Sequence, residues 1–189
     1  MTTMESDTKV FGFWIYLMTD LVIFAVLFAT FVVLRHSTFG GPSGRELFHL
    51  PFALEETLIL LTSSFTCALA TLAVYRKQKN LAIVWFIVTF ALGVSFLFLE
   101  FSEFSKFVDQ GASWQRSAFL SSYFALVGTH GLHISIGLLW MIVAIFRIGF
   151  RGLLAPTVSR VLRLVLFWHF LDIVWIFIFT VVYGMGHLL

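Results

Sequence analysis

From Phe119 to Phe146 the chain reads FLSSYFALVGTHGLHISIGLLWMIVAIF, without one Asp, Glu, Lys or Arg. A helix that crosses a bilayer needs about 20 predominantly apolar residues, and this run is long enough to do so. Its middle nevertheless holds His130 and His133. Residues three apart share a helix face, and Gly137 and Trp140 continue that face. An imidazole in hydrocarbon needs a partner, so this face turns toward protein and away from lipid. The remaining chain is then expected to supply further helices with complementary polar groups.

It does supply them. Apolar runs predict helices at about 11–34, 52–75, 81–101, 119–146 and 161–187, making residues 1–189 a single membrane domain. Uninterrupted runs of this length read as helices, because barrel strands are about half as long and alternate. All three prolines, Pro42, Pro51 and Pro156, fall between the runs, where a missing N–H does no harm. The expected fold is all-α, a bundle of five transmembrane helices. Hydrophobic residues make up 60% of the 189, well above a soluble domain, so no soluble domain is expected beside the bundle. A net charge of +2 spread over loops indicates no nucleic-acid surface. Cys67, alone in an apolar run, reads as a small buried hydrophobe. The polar start MTTMESDTKV lacks a basic n-region and cleavage site, so the first helix itself is expected to direct insertion.

Orientation follows from the basic residues. Eight Lys and Arg (Lys9, Arg76, Lys77, Lys79, Arg147, Arg151, Arg160, Arg163) lie on one side, and four (Arg35, Arg45, Lys106, Arg116) on the other. The richer side is expected to be cytoplasmic, which puts the N-terminus in the cytoplasm and the C-terminus in the periplasm. Trp14, Tyr75, Trp85, Trp140 and Trp168 then form an inner aromatic belt, with Tyr123 and Tyr183 in an outer one.

Ionisable residues inside a membrane cost several kcal/mol unless paired and are functional candidates by default. Asp20 lies nine residues past Phe11, about 14 Å into the membrane at 1.5 Å per residue. With His130, His133, His169 and Asp172 it forms a deep polar layer. An Asp–His pair inside the bundle is the simplest way to satisfy it, with Asp20 or Asp172 meeting a histidine of the fourth helix. Glu55 and Glu56 open the second helix, and Glu100 and Glu103 close the third. These belong nearer the outer surface, and a solvated helix end is the plainer reading of Glu100 and Glu103.

Glu100-x-x-Glu103, His130-x-x-His133 and His169-x-x-Asp172 invite a metal reading. Di-iron bundles use inward Glu and Glu-x-x-His pairs on facing helices. No Glu-x-x-His falls within the apolar runs, and the glutamates are expected too far out to join the histidines. A hydrogen-bonded network with no metal ligands is therefore the preferred reading. The sequence contains no P-loop, dinucleotide fingerprint or nucleophile motif. Gly128, Gly131, Ser135 and Gly137 thin the fourth helix for close packing.

The stretches YFALVGTHGLH (Tyr123 to His133) and LFWHFLDIVW (Leu166 to Trp175) resemble the two signature helices of subunit III of the haem–copper oxidases. The first helix is similar to the one that carries this family's buried carboxylate, with Asp20 in its place. The loop GGPSGRELFHLP, the pair Glu56-Thr57 and the stretch GVSFLFLEFSEF resemble the bacterial cytochrome bo-type ubiquinol oxidase branch. The resemblance runs from about Lys9 to Gly186.

This resemblance implies a non-redox subunit of a complex in the bacterial inner membrane that oxidises ubiquinol, reduces oxygen to water and pumps protons. Haems and copper are expected in the partner subunit I and none in this chain. Subunits I, II and IV and membrane phospholipid are the implied partners, and complex stability and sustained proton uptake the implied contribution. Relatives with seven helices carry two more at the N-terminus; in the quinol-oxidase branch a small subunit IV takes their place. Asp20, His130, His133, His169 and Asp172 are expected to be the buried polar core, while Glu56, Glu100 and Glu103 remain acids without an assigned role. Three alternatives stand beside this reading. They are a cytochrome c oxidase subunit III or the related accessory protein of nitric oxide reductase, a self-contained di-metal membrane enzyme, and a transporter, whose expected midplane helix breaks have no counterpart here.

Overall fold

A computed structural model describes residues 3–39 and 50–184. Five helices follow one another: α1 (Thr3–Leu34), α2 (Leu50–Tyr75), α3 (Lys79–Asp109), α4 (Ala118–Arg151) and α5 (Ala155–Ile178), the last continued by a π-helical turn, Phe179–Gly184. All five are long and apolar enough to span a membrane, and no strand occurs among the described residues. The chain is an all-α polytopic membrane protein. The loop read as GGPSGRELFHLP and the expected helical residues 185–187 lie largely or wholly outside the described residues.

The connections show why the helices stop where they do. The α2–α3 turn passes through Lys77 at φ 55, a left-handed conformation that lets two antiparallel helices meet across three residues. Ser117 caps α4, its hydroxyl accepting from the Leu120 amide at 3.2 Å. Gly152, at φ 69, ends α4, as suits a residue without a Cβ. Pro156 stands in the first turn of α5, the helical position that tolerates it best.

α2 and α3 form a closely packed hairpin, α4 packs on α3 and α5, and α5 returns to α2. α1 lies to one side and touches only α4 and α5 extensively. Its buried residues, Leu17, Asp20, Phe24 and Phe31, recur at three, four and seven positions, a single narrow stripe. The rest of α1 presents exposed apolar residues such as Phe11 and Val33, suited to lipid or partner helices.

α3 runs two turns beyond the limit that its apolar run suggested. Phe96, Glu100, Glu103 and Phe107 are all buried and follow one another at helical spacing. Two glutamates thus occupy core positions on a helix that continues past them. Glu100 and Glu103 are consequently not a solvated helix end: they are 3% and 4% exposed.

Candidate functional site

The deep polar residues lie in three groups. Asp20 projects from α1 to α4, its Oδ1 3.7 Å from His133 Nε2. That is an ion-pair separation and longer than a hydrogen bond. On its other side, His133 Nδ1 lies 2.7 Å from the Thr129 carbonyl. A carbonyl only accepts, so Nδ1 carries the hydrogen and Nε2 is the nitrogen turned toward Asp20.

Asp172 pairs within its own helix, with Oδ2 3.7 Å from His169 Nδ1. The same nitrogen is 2.7 Å from Ser64 Oγ on α2. The histidine of α4 therefore meets Asp20, while Asp172 faces α5 and α2.

His130 stands apart from both pairs. It is fully buried, stacked on Trp175 (centroids 5.3 Å, 29°) and edge-on to Phe96 (6.0 Å, 89°). Neither ring nitrogen has a hydrogen-bond partner. One helix turn separates it from His133, yet one ring meets a carboxylate and the other an aromatic box.

A second layer lies toward the other end of α3. Glu103 Oε2 accepts from Tyr183 at 2.7 Å and Tyr123 at 3.0 Å, and the two hydroxyls are 3.1 Å apart. Both tyrosines are fully buried. They are not an outer aromatic belt: their rings fill the core and their hydroxyls serve the carboxyl group. The π turn at the end of α5 carries Tyr183 into this position, a local widening often found where a side chain has a special task.

Glu56 and Glu100 are buried with both carboxyl oxygens unpartnered. Glu100 rests against Gly131, where a Cβ would fall 2.9 Å from each of its oxygens. Glu100 thus reaches α4 one residue from His130, closer than its sequence position suggested. Glu55, by contrast, faces outward.

Tryptophans tie the layers together. Trp168 Nε1 donates to Ser63 Oγ at 3.1 Å, and Trp175 Nε1 to Thr57 Oγ1 at 3.1 Å. Trp168 is fully buried, so it too leaves the expected belt, whereas Trp14 and Tyr75 are exposed as belt residues would be. The serine and threonine partners of these indoles, and Ser64, had no signal in the sequence beyond lying on apolar helices.

Among the described residues no three His, Cys, Asp or Glu side chains gather into a set able to hold a metal ion. The arrangement is suited to hydrogen bonding and to pairing of carboxyl and imidazole groups at Asp20–His133 and His169–Asp172.

Fold and site together define a multi-pass membrane protein with its ionisable groups turned inward. The chain belongs to the cytochrome c oxidase subunit III family, whose model matches residues 2–187. It is 57% identical to the cytochrome bo(3) ubiquinol oxidase subunit 3 of Pseudomonas aeruginosa, over 97% of this chain and 88% of the relative. It is 45% identical to the quinol oxidase subunit 3 of Bacillus spizizenii, over 96% and 91%. A cytochrome c oxidase subunit 3 from a Bacillus species is 44% identical, over 97% and 89%.

Proposed function

We propose that this chain is the non-redox subunit III of a proton-pumping terminal ubiquinol oxidase of a bacterial inner membrane. The observation that carries the reading is 57% identity, across nearly the whole of both chains, to a relative named as a bo(3) ubiquinol oxidase subunit 3. In the complex, subunit I holds the haems and copper, and subunits II and IV complete the assembly. This chain contributes architecture and supports proton uptake, with the N-terminus in the cytoplasm. Asp20 and Asp172 pair with histidines and Glu103 with two tyrosines, and the buried polar side chains offer no ligand set among the described residues, which favours an accessory subunit over a di-metal enzyme.

Membrane phospholipid is the further partner in this reading. A cavity of about 270 Å³ lies between α4 and α5, bordered by Trp140, Arg147, Thr157, Arg160 and Arg163. Basic pockets between membrane helices on the cytoplasmic side suit anionic headgroups, and these arginines belong to the side assigned to the cytoplasm.

A second reading, a cytochrome c oxidase, draws support from the 44% identical relative of that name. One preparation separates the two. The tagged chain, purified in mild detergent from its own membranes, should bring with it a large multi-helix partner, a haem spectrum and ubiquinol oxidation. Oxidation of cytochrome c alone would favour the second reading. A lone 21.5 kDa protein holding its own metal would overturn both.

A further inference from the structure

Glu100 borders a groove that opens to the membrane between α3 and α4. The groove has a volume of about 290 Å³, and Leu97, Phe101, Gly128, Gly131 and Ser135 line it beside Glu100. Phe101 and Leu132 at its mouth are 73% and 60% exposed, so lipid-soluble molecules have access. The glycines open it, because neither Gly128 nor Gly131 raises a side chain from α4 into it, and Leu132 stands at the mouth. Ser135 turns its hydroxyl back to the Gly131 carbonyl at 2.8 Å, leaving Glu100 as the polar group without a partner. Glu56 and Glu103 are the other acids beside it, and neither donates a hydrogen bond to it.

The depth of the carboxyl group restricts what fits. Glu100 lies six residues from the midpoint of Lys79–Asp109, about 9 Å at 1.5 Å per residue. The hydrocarbon half-thickness is about 15 Å, so Glu100 sits below the level of phospholipid phosphates. An anionic headgroup is excluded a second time by the carboxyl itself. An acyl chain would fill the groove and leave the buried oxygens unpaired, the costly outcome for a polar group in a membrane. A flat, uncharged ring with a hydroxyl and an apolar tail meets every requirement.

We propose that the groove between α3 and α4 binds a quinol, its ring between Phe101 and the glycine face of α4 and a ring hydroxyl hydrogen-bonded to Glu100. The carboxyl rests on Gly131 before the ligand enters and turns outward to meet it, a movement for which the missing Cβ leaves room. This rests on the reading of the complex as a quinol oxidase and adds a binding site on subunit III.

Photolabelling of the purified complete complex with an azido-ubiquinone, followed by peptide mapping, tests it. Label is expected on residues 97–104 or 128–135 and is displaced by excess ubiquinol. Glu100→Leu should lower it about tenfold, as should Gly131→Ala, whose methyl displaces the carboxyl; Glu100→Gln should retain most of it. Haem content and co-purifying subunits report whether each variant assembles, and either Glu100→Leu or Gly131→Ala alone suffices for the comparison. Label confined to other subunits, or groove label indifferent to both variants, overturns the proposal. A complex that oxidises ubiquinol yet carries no groove label refutes the groove alone. One that oxidises only cytochrome c removes the quinol-oxidase reading as well.

Discussion

The indole of Trp168 lies across Gly93: a Cβ at that glycine would fall 2.8 Å from Cη2 and 3.1 Å from Cζ2. Gly137 stands on the other side, where a Cβ would come within 3.1 Å of Cζ3. One ring of α5 is thus clasped between a glycine of α3 and a glycine of α4. Its nitrogen also donates to Ser63 on α2, so four helices meet at one side chain.

Adding a methyl here forces the ring to move, and overpacking of this kind costs about 1–3 kcal/mol. Gly93→Ala is expected to lower the thermal midpoint of the detergent-solubilised complex, with Gly137→Ala acting in the same direction. Gly149, which has open space around its Cα, is the control: Gly149→Ala should leave the midpoint unchanged in the same melting experiment.

Tyr123 and Tyr183 donate to one oxygen of Glu103. Removing either hydroxyl should cost about 1–2 kcal/mol, and the double variant should differ from the sum of the singles because both serve the same carboxyl group. Thermal melts of Tyr123→Phe, Tyr183→Phe and the double variant measure the coupling; strict additivity would mean that the hydroxyls act independently.

Asp20 and His133 form a cross-helix pair, so Asp20→Ala leaves His133 facing an empty site on a helix with few other ties. Loss of one partner of such a pair is expected to cost about 3 kcal/mol, seen as dissociation or a lowered melting point. Asp20→Asn keeps the shape and replaces the carboxyl group with an amide. The variant should assemble and show a turnover–pH profile different from that of the parent; identical profiles would leave Asp20 with a structural role only.

Arg147→Gln and Arg160→Gln remove positive charge from the cavity between α4 and α5. Native mass spectrometry or lipid extraction of the purified complex should show less retained anionic phospholipid in the double variant, while zwitterionic lipid is unaffected. Equal retention of both classes would remove the headgroup assignment.

The helices, and the need of Asp20 or Asp172 for a histidine of the fourth helix, were legible in the sequence for one reason: hydrocarbon tolerates neither unpaired backbone nor unpaired charge. A carboxylate in FGFWIYLMTDLVIF has no solvent to retreat to, so it announces a partner. Glu100 and Glu103 carried a weaker signal. They follow the apolar run among Ser102, Ser105 and Lys106, which resembles a helix leaving the membrane, and only the continuation of α3 to Asp109 buries them. Tyr123 and Tyr183 misled because tyrosine suits both an interface and a buried hydrogen bond. The choice between those depends on which residue lies opposite, and spacing along one helix does not contain that information. Gly93 was equally silent, since glycine is common in membrane helices and its necessity here is set by an indole 75 positions later.

The narrow attachment of α1 has a consequence for how the protein is made. Asp20 emerges in the first helix, and its partner His133 follows 113 positions later. At about 5–20 residues per second of synthesis, the carboxylate waits roughly 6–23 s for the imidazole. During that interval α1 enters the bilayer carrying a group worth about 3 kcal/mol against insertion, with α4 still unmade. The first helix therefore depends on its own apolar surface, or on the insertion machinery, to stay in place until the fourth arrives.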